Sequence, residues 1–245
     1  MKKIKNLLSI FVIITSFTFV SCENEPVDAS LLSNTNSNSS GSGSTSGGNA
    51  TPSNDYWPTA INNTWTLQQN GTNLAPMKIV ATETIGGNLY YKFAQQSANG
   101  ATNNNYLRKS GGSYFLRTSD TSLNISGLTG TQTGFEFTVL KDNIAVNATW
   151  SGSYTQTTTY TGIPAITQST DYTGTILAKD VTETINGVTY NNVIKLNIHQ
   201  ETTSTGSLSI VNTEYWFAKN VGIIKSKTYA GSGIYTSILV SYTLF

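Results

Sequence analysis

The chain has 245 residues, with 14 basic and 13 acidic side chains, one histidine and one cysteine, giving a formal net charge of +1. Only 11% of the residues are charged and no basic cluster is present, which excludes the electrostatic footprint of a nucleic-acid binder. One cysteine and one histidine also exclude a disulfide framework and any metal site built on several Cys or His ligands.

The N-terminus reads as an export signal. Lys2, Lys3 and Lys5 form a basic start, Leu7 to Val20 an apolar run of 14 residues, and small Ser21 precedes Cys22. The run is shorter than the ~20 residues that cross a bilayer, so residues 1–21 are expected to be a secretory signal peptide. Phe19-Val20-Ser21-Cys22 resembles the lipobox of bacterial lipoproteins. That resemblance implies acylation of the Cys22 thiol and cleavage before it; cleavage by an ordinary signal peptidase is the alternative. Acylation makes the membrane a partner, each buried CH₂ contributing about 0.8 kcal/mol. It implies an outer-membrane protein, lipid-anchored on the periplasmic or cell-surface face. Without residues 1–21 the chain keeps 11 basic and 13 acidic side chains, a net charge of −2.

Residues 22–54 read as an acylated cysteine and a tether. Positions 33–54 are almost entirely Ser, Asn, Thr and Gly, too poor in apolar side chains to offset the entropy of folding. A flexible linker of about 30 residues spans roughly 30 Å on average. Glu23, Glu25 and Asp28 resemble the acidic export signal that follows the cysteine in surface lipoproteins of Bacteroidetes, and they read equally well as solvated charges.

Residues 55–245 read as a single β-rich domain. Aromatic and β-branched residues alternate with polar ones, and Asn70-Gly71, Gly86-Gly87 and Asn186-Gly187 are two-residue hairpin signals. Tyr190–Gln200, Ser207–Phe217 and Ile234–Phe245 read as strands. In the first, Ile194, Leu196 and Ile198 point one way and Lys195, Asn197 and His199 the other. In the last, Ile234, Ile238, Val240, Tyr242 and Leu244 share a face, expected to be an inward aliphatic row. The expected fold is all-β: a largely antiparallel curved sheet of about 10–12 strands, half-barrel or barrel-like. Ser241 and Thr243 interrupt the apolar row that the last strand of an integral outer-membrane barrel carries.

An internal repeat runs through this domain. Thr82-Glu83-Thr84-Ile85 recurs as Thr182-Glu183-Thr184-Ile185, Gly87 and Tyr90 as Gly187 and Tyr190, and Asn63-Thr64-Trp65 as Asn147-Ala148-Thr149-Trp150. A pseudo-symmetric sheet of two half-units follows. Asp55-Tyr56-Trp57-Pro58 with Asn63-Thr64-Trp65, and the run Tyr215 to Lys225, resemble the opening and closing patterns of uncharacterised Bacteroidetes lipoproteins. Some of these are likened to the LolA/LppX half-barrel, so the resemblance implies an open curved sheet that holds acyl chains.

Catalytic patterns are sparse. His199 shares the polar face of its strand, no Gly-x-Ser-x-Gly elbow is present, and Gly41-Ser42-Gly43 lies outside any strand-to-helix context. Glu83 and Glu183 are a symmetry-related carboxylate pair of the kind that runs glycoside hydrolysis at about 5–9 Å, or else strand-end charges that reach water. Trp150, Tyr154 and Tyr160 fall on one face of a Thr-rich strand and are the candidate ligand-binding aromatics, Tyr154 and Tyr160 as exposed rings and Trp150 as a core residue otherwise. The sequence thus predicts a non-catalytic binding module without cofactor or metal, taking an apolar or amphipathic (lipid) ligand. Its rivals are a surface glycan-binding lipoprotein and a structural subunit of an envelope assembly. It names no protein partner.

Overall fold

The computed structural model describes residues 55–245; the expected signal peptide, Cys22 and the tether lie outside the described residues. Among the described residues every regular element is a strand, and every ladder is antiparallel. β1 (Thr64–Gln69) and β2 (Thr72–Asn73) turn at Asn70-Gly71, and β3 (Met77–Ile85) and β4 (Asn88–Phe93) at Gly86-Gly87. Seven short strands follow: β5 (Gln96–Ala98), β6 (Ala101–Asn103), β7 (Asn105–Ser110), β8 (Ser113–Thr118), β9 (Thr121–Ile125), β10 (Leu128–Gln132) and β11 (Phe135–Lys141). The second half is built of longer ones: β12 (Thr149–Tyr160), β13 (Ile163–Ile185), β14 (Val188–Ser204), β15 (Ser207–Ala218), β16 (Gly222–Ala230) and β17 (Gly233–Thr243).

Seventeen strands exceed the expected count because bent runs are cut into two ladders. β4 and β7 pair while their continuations β5 and β6 pair separately. β8 likewise joins β11 while β9 joins β10. The hairpin signals are where the sequence puts them. Asn70 and Gly71 (φ 50° and 81°) and Asn186 and Gly187 (φ 50° and 77°) hold the doubly positive φ that a tight right-twisted hairpin needs.

The ladder runs from β11 through β8, β7, β4 and β3 to β1, then β17 back to β12, and on through β10, β9 and β6 to β5. It is a curved sheet that does not close into a barrel. β11 has one strand partner, β8. Its outer edge is met by side chains: the Thr138 N–H donates to the Tyr172 hydroxyl at 3.1 Å, and the Trp150 indole donates to the Thr138 carbonyl at 2.9 Å. A buried backbone pair is thereby satisfied without a ladder.

The interior holds Trp65, Ile79, Leu107, Leu140, Ile176, Leu196, Phe217 and Ile224, all fully buried. β14 alternates as its pattern predicts, with Ile194, Leu196 and Ile198 buried and Lys195, Asn197 and His199 on the other face. β17 corrects the expectation of an inward aliphatic row in part: Ile238 and Leu244 pack, half-buried, against the core, but the row is not inward throughout. Ser237 and Leu239 are buried while Ile234 and Tyr242 are exposed, because the strand enters its pairing with β1 on the Gln69–Ser237 match and slips register at Leu67. A one-residue difference in register exchanges the two faces.

The repeat is present in the pairing itself. Glu83 faces Tyr90 across β3–β4, and Glu183 faces Tyr190 across β13–β14. One row runs Ala81, Lys92, Tyr106, Arg117; its counterpart runs Ala178, Lys195, Trp216, Lys225. Each half therefore places a lysine, an aromatic ring and a second cation side by side on one sheet face.

Candidate ligand cleft

The opening and closing motifs meet in space. The Asn220 N–H donates to the Asp55 carbonyl at 2.6 Å, and the Trp65 indole donates to the Val221 carbonyl at 2.6 Å. Trp57 packs on Phe217 with ring centroids 5.4 Å apart and on Phe93 at 6.0 Å. Lys109 fixes the entering chain, its ammonium 2.7 Å from Asp55 and 3.0 Å from the Trp57 carbonyl. Gly222 sits at φ 111°, and a Cβ there would lie 2.9 Å from the Trp65 indole nitrogen, so the turn admits only glycine.

Beside these motifs lies a cleft of mixed lining. Trp57, Leu67, Leu74, Met77, Leu116 and Ile223 supply its apolar groups and Gln69, Ser226, Thr228 and Ser237 its polar ones, with Ala75, Tyr215 and Tyr235 completing the lining. Its open part is about 40 Å³, space for roughly three waters at ~10–15 Å³ each. The polar groups are tied in place, Gln69 Nε2 donating to Ser237 Oγ at 3.3 Å and the Thr213 and Thr228 hydroxyls lying 3.1 Å apart. Trp57 is 2% exposed and its indole nitrogen has no acceptor among the described residues. Burial, with the neighbouring Tyr154 adding to it, pushes the Tyr215 hydroxyl well above the usual tyrosine range, so this lining group is a neutral donor. The lining offers hydroxyl and amide groups beside an aliphatic and indole surface.

Of the aromatics singled out from the sequence, Trp150, Tyr154 and Tyr160 do share a face, and that face is the interior one. They are 6%, 9% and 7% exposed, which corrects the expectation of exposed rings at Tyr154 and Tyr160. Tyr154 stacks on Phe135 at 4.4 Å and accepts from Gln200 Nε2 at 3.0 Å; burial pushes its hydroxyl up to about 12. The hydroxyl of Tyr160 is buried without a partner among the described residues. None of the three lines the cleft. Cys22, the expected acylation site, lies outside the described residues.

The carboxylate pair divides between the two halves of the repeat. Glu83 lies 3.8 Å from Lys92, and Glu183 pairs with Lys195; Lys92 stands over the Tyr106 ring and Lys195 over Trp216. Each glutamate is thus neutralised within its own half. His199 is held outside the cleft, Nδ1 2.9 Å from Asn212 Oδ1 and Nε2 3.1 Å from Glu201 Oε1, and these contacts, Asn212 first, raise its pKa.

Ser226 and Thr228 of β16 and Tyr235 and Ser237 of β17 escaped the sequence reading because they are hydroxyl-bearing residues outside the aliphatic pattern. In β17 the pairing of Ser237 with buried Gln69, and of Leu239 with buried Leu67, marks their shared face as the inner one. Trp57 was legible as part of the opening motif.

No family model and no curated protein matches the chain. Two solved structures are similar to it over 77% of its length and 98% of theirs. One, a candidate lipoprotein from Parabacteroides distasonis, is 11% identical with a TM-score of 0.45. The other, a candidate exported protein with a YmcC-like fold from Bacteroides fragilis, is 9% identical with a TM-score of 0.43.

Proposed function

We propose that this chain is a non-catalytic binding protein of the cell envelope, lipid-anchored through Cys22, that seats one end of an amphipathic ligand in the Trp57 cleft. The carrying observation is the mixed lining of one cleft: six apolar side chains together with four hydroxyl and amide side chains. Sites for small molecules combine an apolar surface with a few placed polar groups in this way. The anchor is supported by the Phe19-Val20-Ser21-Cys22 sequence, and the half-barrel resemblance of the terminal motifs favours an acyl-bearing ligand. A second reading, a surface glycan-binding lipoprotein, is favoured by the hydroxyl and amide groups of Gln69, Ser226, Thr228 and Ser237 in the lining.

The test is native mass spectrometry of the full chain gently extracted from membranes of its own host. A co-purifying amphiphile released by organic solvent supports the reading; a chain free of any ligand overturns it. Cys22→Ala is expected to release the protein from membranes, and unchanged membrane association would refute the anchor.

A further inference from the structure

Charge is sorted along this molecule. Because adjacent strands are antiparallel, the hairpins β1–β2, β5–β6, β9–β10, β12–β13, β14–β15 and β16–β17 all point to one end of the sheet. Residues 66–76, 93–107, 121–135, 154–170, 202–213 and 228–243, which build those six hairpins, contain no Asp, Glu, Lys, Arg or His. The opposite turns all carry charge: Glu83 and Lys92, Lys109 and Arg117, Lys141 and Asp142, Asp180 and Glu183, Lys219 and Lys225.

The cleft reaches the charge-free end, whose stretches supply seven of its thirteen lining residues. Gln69, Leu74 and Ala75 come from the β1–β2 hairpin and the segment after it, and Thr228, Tyr235 and Ser237 from the β16–β17 hairpin. No carboxylate, ammonium, guanidinium or imidazole lines the cleft. An ion placed there has no counter-charge, and an unpaired buried ion costs far more than a buried hydroxyl that finds a partner. A hydroxyl-bearing head, in contrast, meets the hydroxyl and amide groups of Gln69, Ser226, Thr228 and Ser237.

Resting on the binding role proposed above, we infer that the cleft selects an uncharged, hydroxyl-bearing amphiphile, with a neutral sugar or polyol head and an apolar tail, over one with a carboxylate or phosphate head. The small open volume means that one end seats in the cleft, and the remainder lies along the charge-free hairpins, where no ion pair has to be stripped of water.

The test uses the full chain carrying Cys22→Ala, which removes the anchor and leaves every cleft residue intact. Binding of dodecyl maltoside, laurate, dodecyl phosphate and free maltose, each below its micelle concentration, is followed by tryptophan fluorescence and calorimetry at low and high salt. The expected result is that dodecyl maltoside binds at least about tenfold more tightly than either anion and than maltose, without salt dependence; screening weakens only binding that uses charge. Anions that bind as tightly, or affinity that falls with salt, overturn the neutral selection while leaving the binding role standing. Maltose binding as tightly as dodecyl maltoside overturns the amphiphile in favour of a free glycan. Binding by none of the probes overturns both the inference and the binding role. Ala75→Lys, at a partly exposed lining position, is expected to raise laurate affinity severalfold; no change places the binding elsewhere and refutes the inference.

Discussion

The Trp150 indole donates to the Thr138 carbonyl at 2.9 Å, and this bond spans the place where β11 parts from the ladder. The Tyr172 hydroxyl meets the Thr138 N–H on the same edge. Two aromatic side chains thus complete one residue's backbone where a strand would otherwise be required.

Replacing these donors and acceptors is therefore expected to open that seam. Trp150→Phe leaves a buried carbonyl unpaired, at a cost of about 1–3 kcal/mol for the lost partner before any loss of packing. Tyr172→Phe strands the N–H at a similar cost. Urea unfolding measures both, and hydrogen exchange at Thr138 is expected to accelerate in Tyr172→Phe; unchanged protection there would show that the edge is held by other contacts.

Gly174 lies beneath the Trp150 ring, and an added Cβ falls inside the indole. Gly174→Ala is expected to destabilise by about 1–3 kcal/mol, as overpacked cores do. Combined with Trp150→Phe, the two costs are expected to be less than additive, because the smaller ring vacates the space the methyl needs. Full additivity in a double-mutant cycle would mean that the strain is borne by the backbone instead.

Tyr154 gives a signature in alkali. Burial raises its hydroxyl to about 12, above the usual ~10 of a free tyrosine. The folded state thus favours the neutral form; the resulting stability is complete below pH ~10 and is lost as the pH rises to ~12. Tyr154→Phe, which removes the partner of Gln200, is expected to be less stable than wild type at neutral pH by about 1–3 kcal/mol. The gap is expected to narrow between pH ~10 and ~12. Thermal melts across that range measure it, and a constant gap would exclude Tyr154 from alkaline unfolding.

His199 acts at the other end of the scale. Its contacts with Asn212 and Glu201 raise its pKa, so its stabilisation is full below the usual ~6.5 of histidine and fades as the pH rises through the raised value. His199→Gln is expected to lower the melting temperature at acid pH and to match wild type in mild alkali. The side chain is 38% exposed, so the effect is that of a surface pair, about 0–1 kcal/mol. An equal loss at both pH values would assign the residue a packing role.

Much of the fold was legible before any coordinates. The hairpins at Asn70-Gly71, Gly86-Gly87 and Asn186-Gly187 follow from residue types that tolerate positive φ, and the two faces of β14 follow from strict alternation. The repeat was readable too, and the structure extends it from sequence to register: Glu83 and Glu183 occupy equivalent pairs. The charge-free hairpins are also written in the sequence, but they become a single surface only when strand direction sends all six to the same end.

The cleft was not legible. Alternation states which residues share a face and not which face is buried, so Ile234 and Tyr242 read as inward, and Ser237 was overlooked. The aromatics of β12 show the same limit: Trp150, Tyr154 and Tyr160 share a face as predicted, but pairing on β13 and the fold of β11 over them turned that face to the core. By itself, the sequence determined an all-β chain, its turns, its repeat and the separation of charged from uncharged segments, because each depends on residues close together in the chain. Only the tertiary structure decided which face of each strand is interior, and that Trp57 from the start of the domain meets Tyr215, Ile223 and Ser237 from its end. Those choices depend on register and on contacts between residues more than 150 positions apart, which local periodicity does not encode.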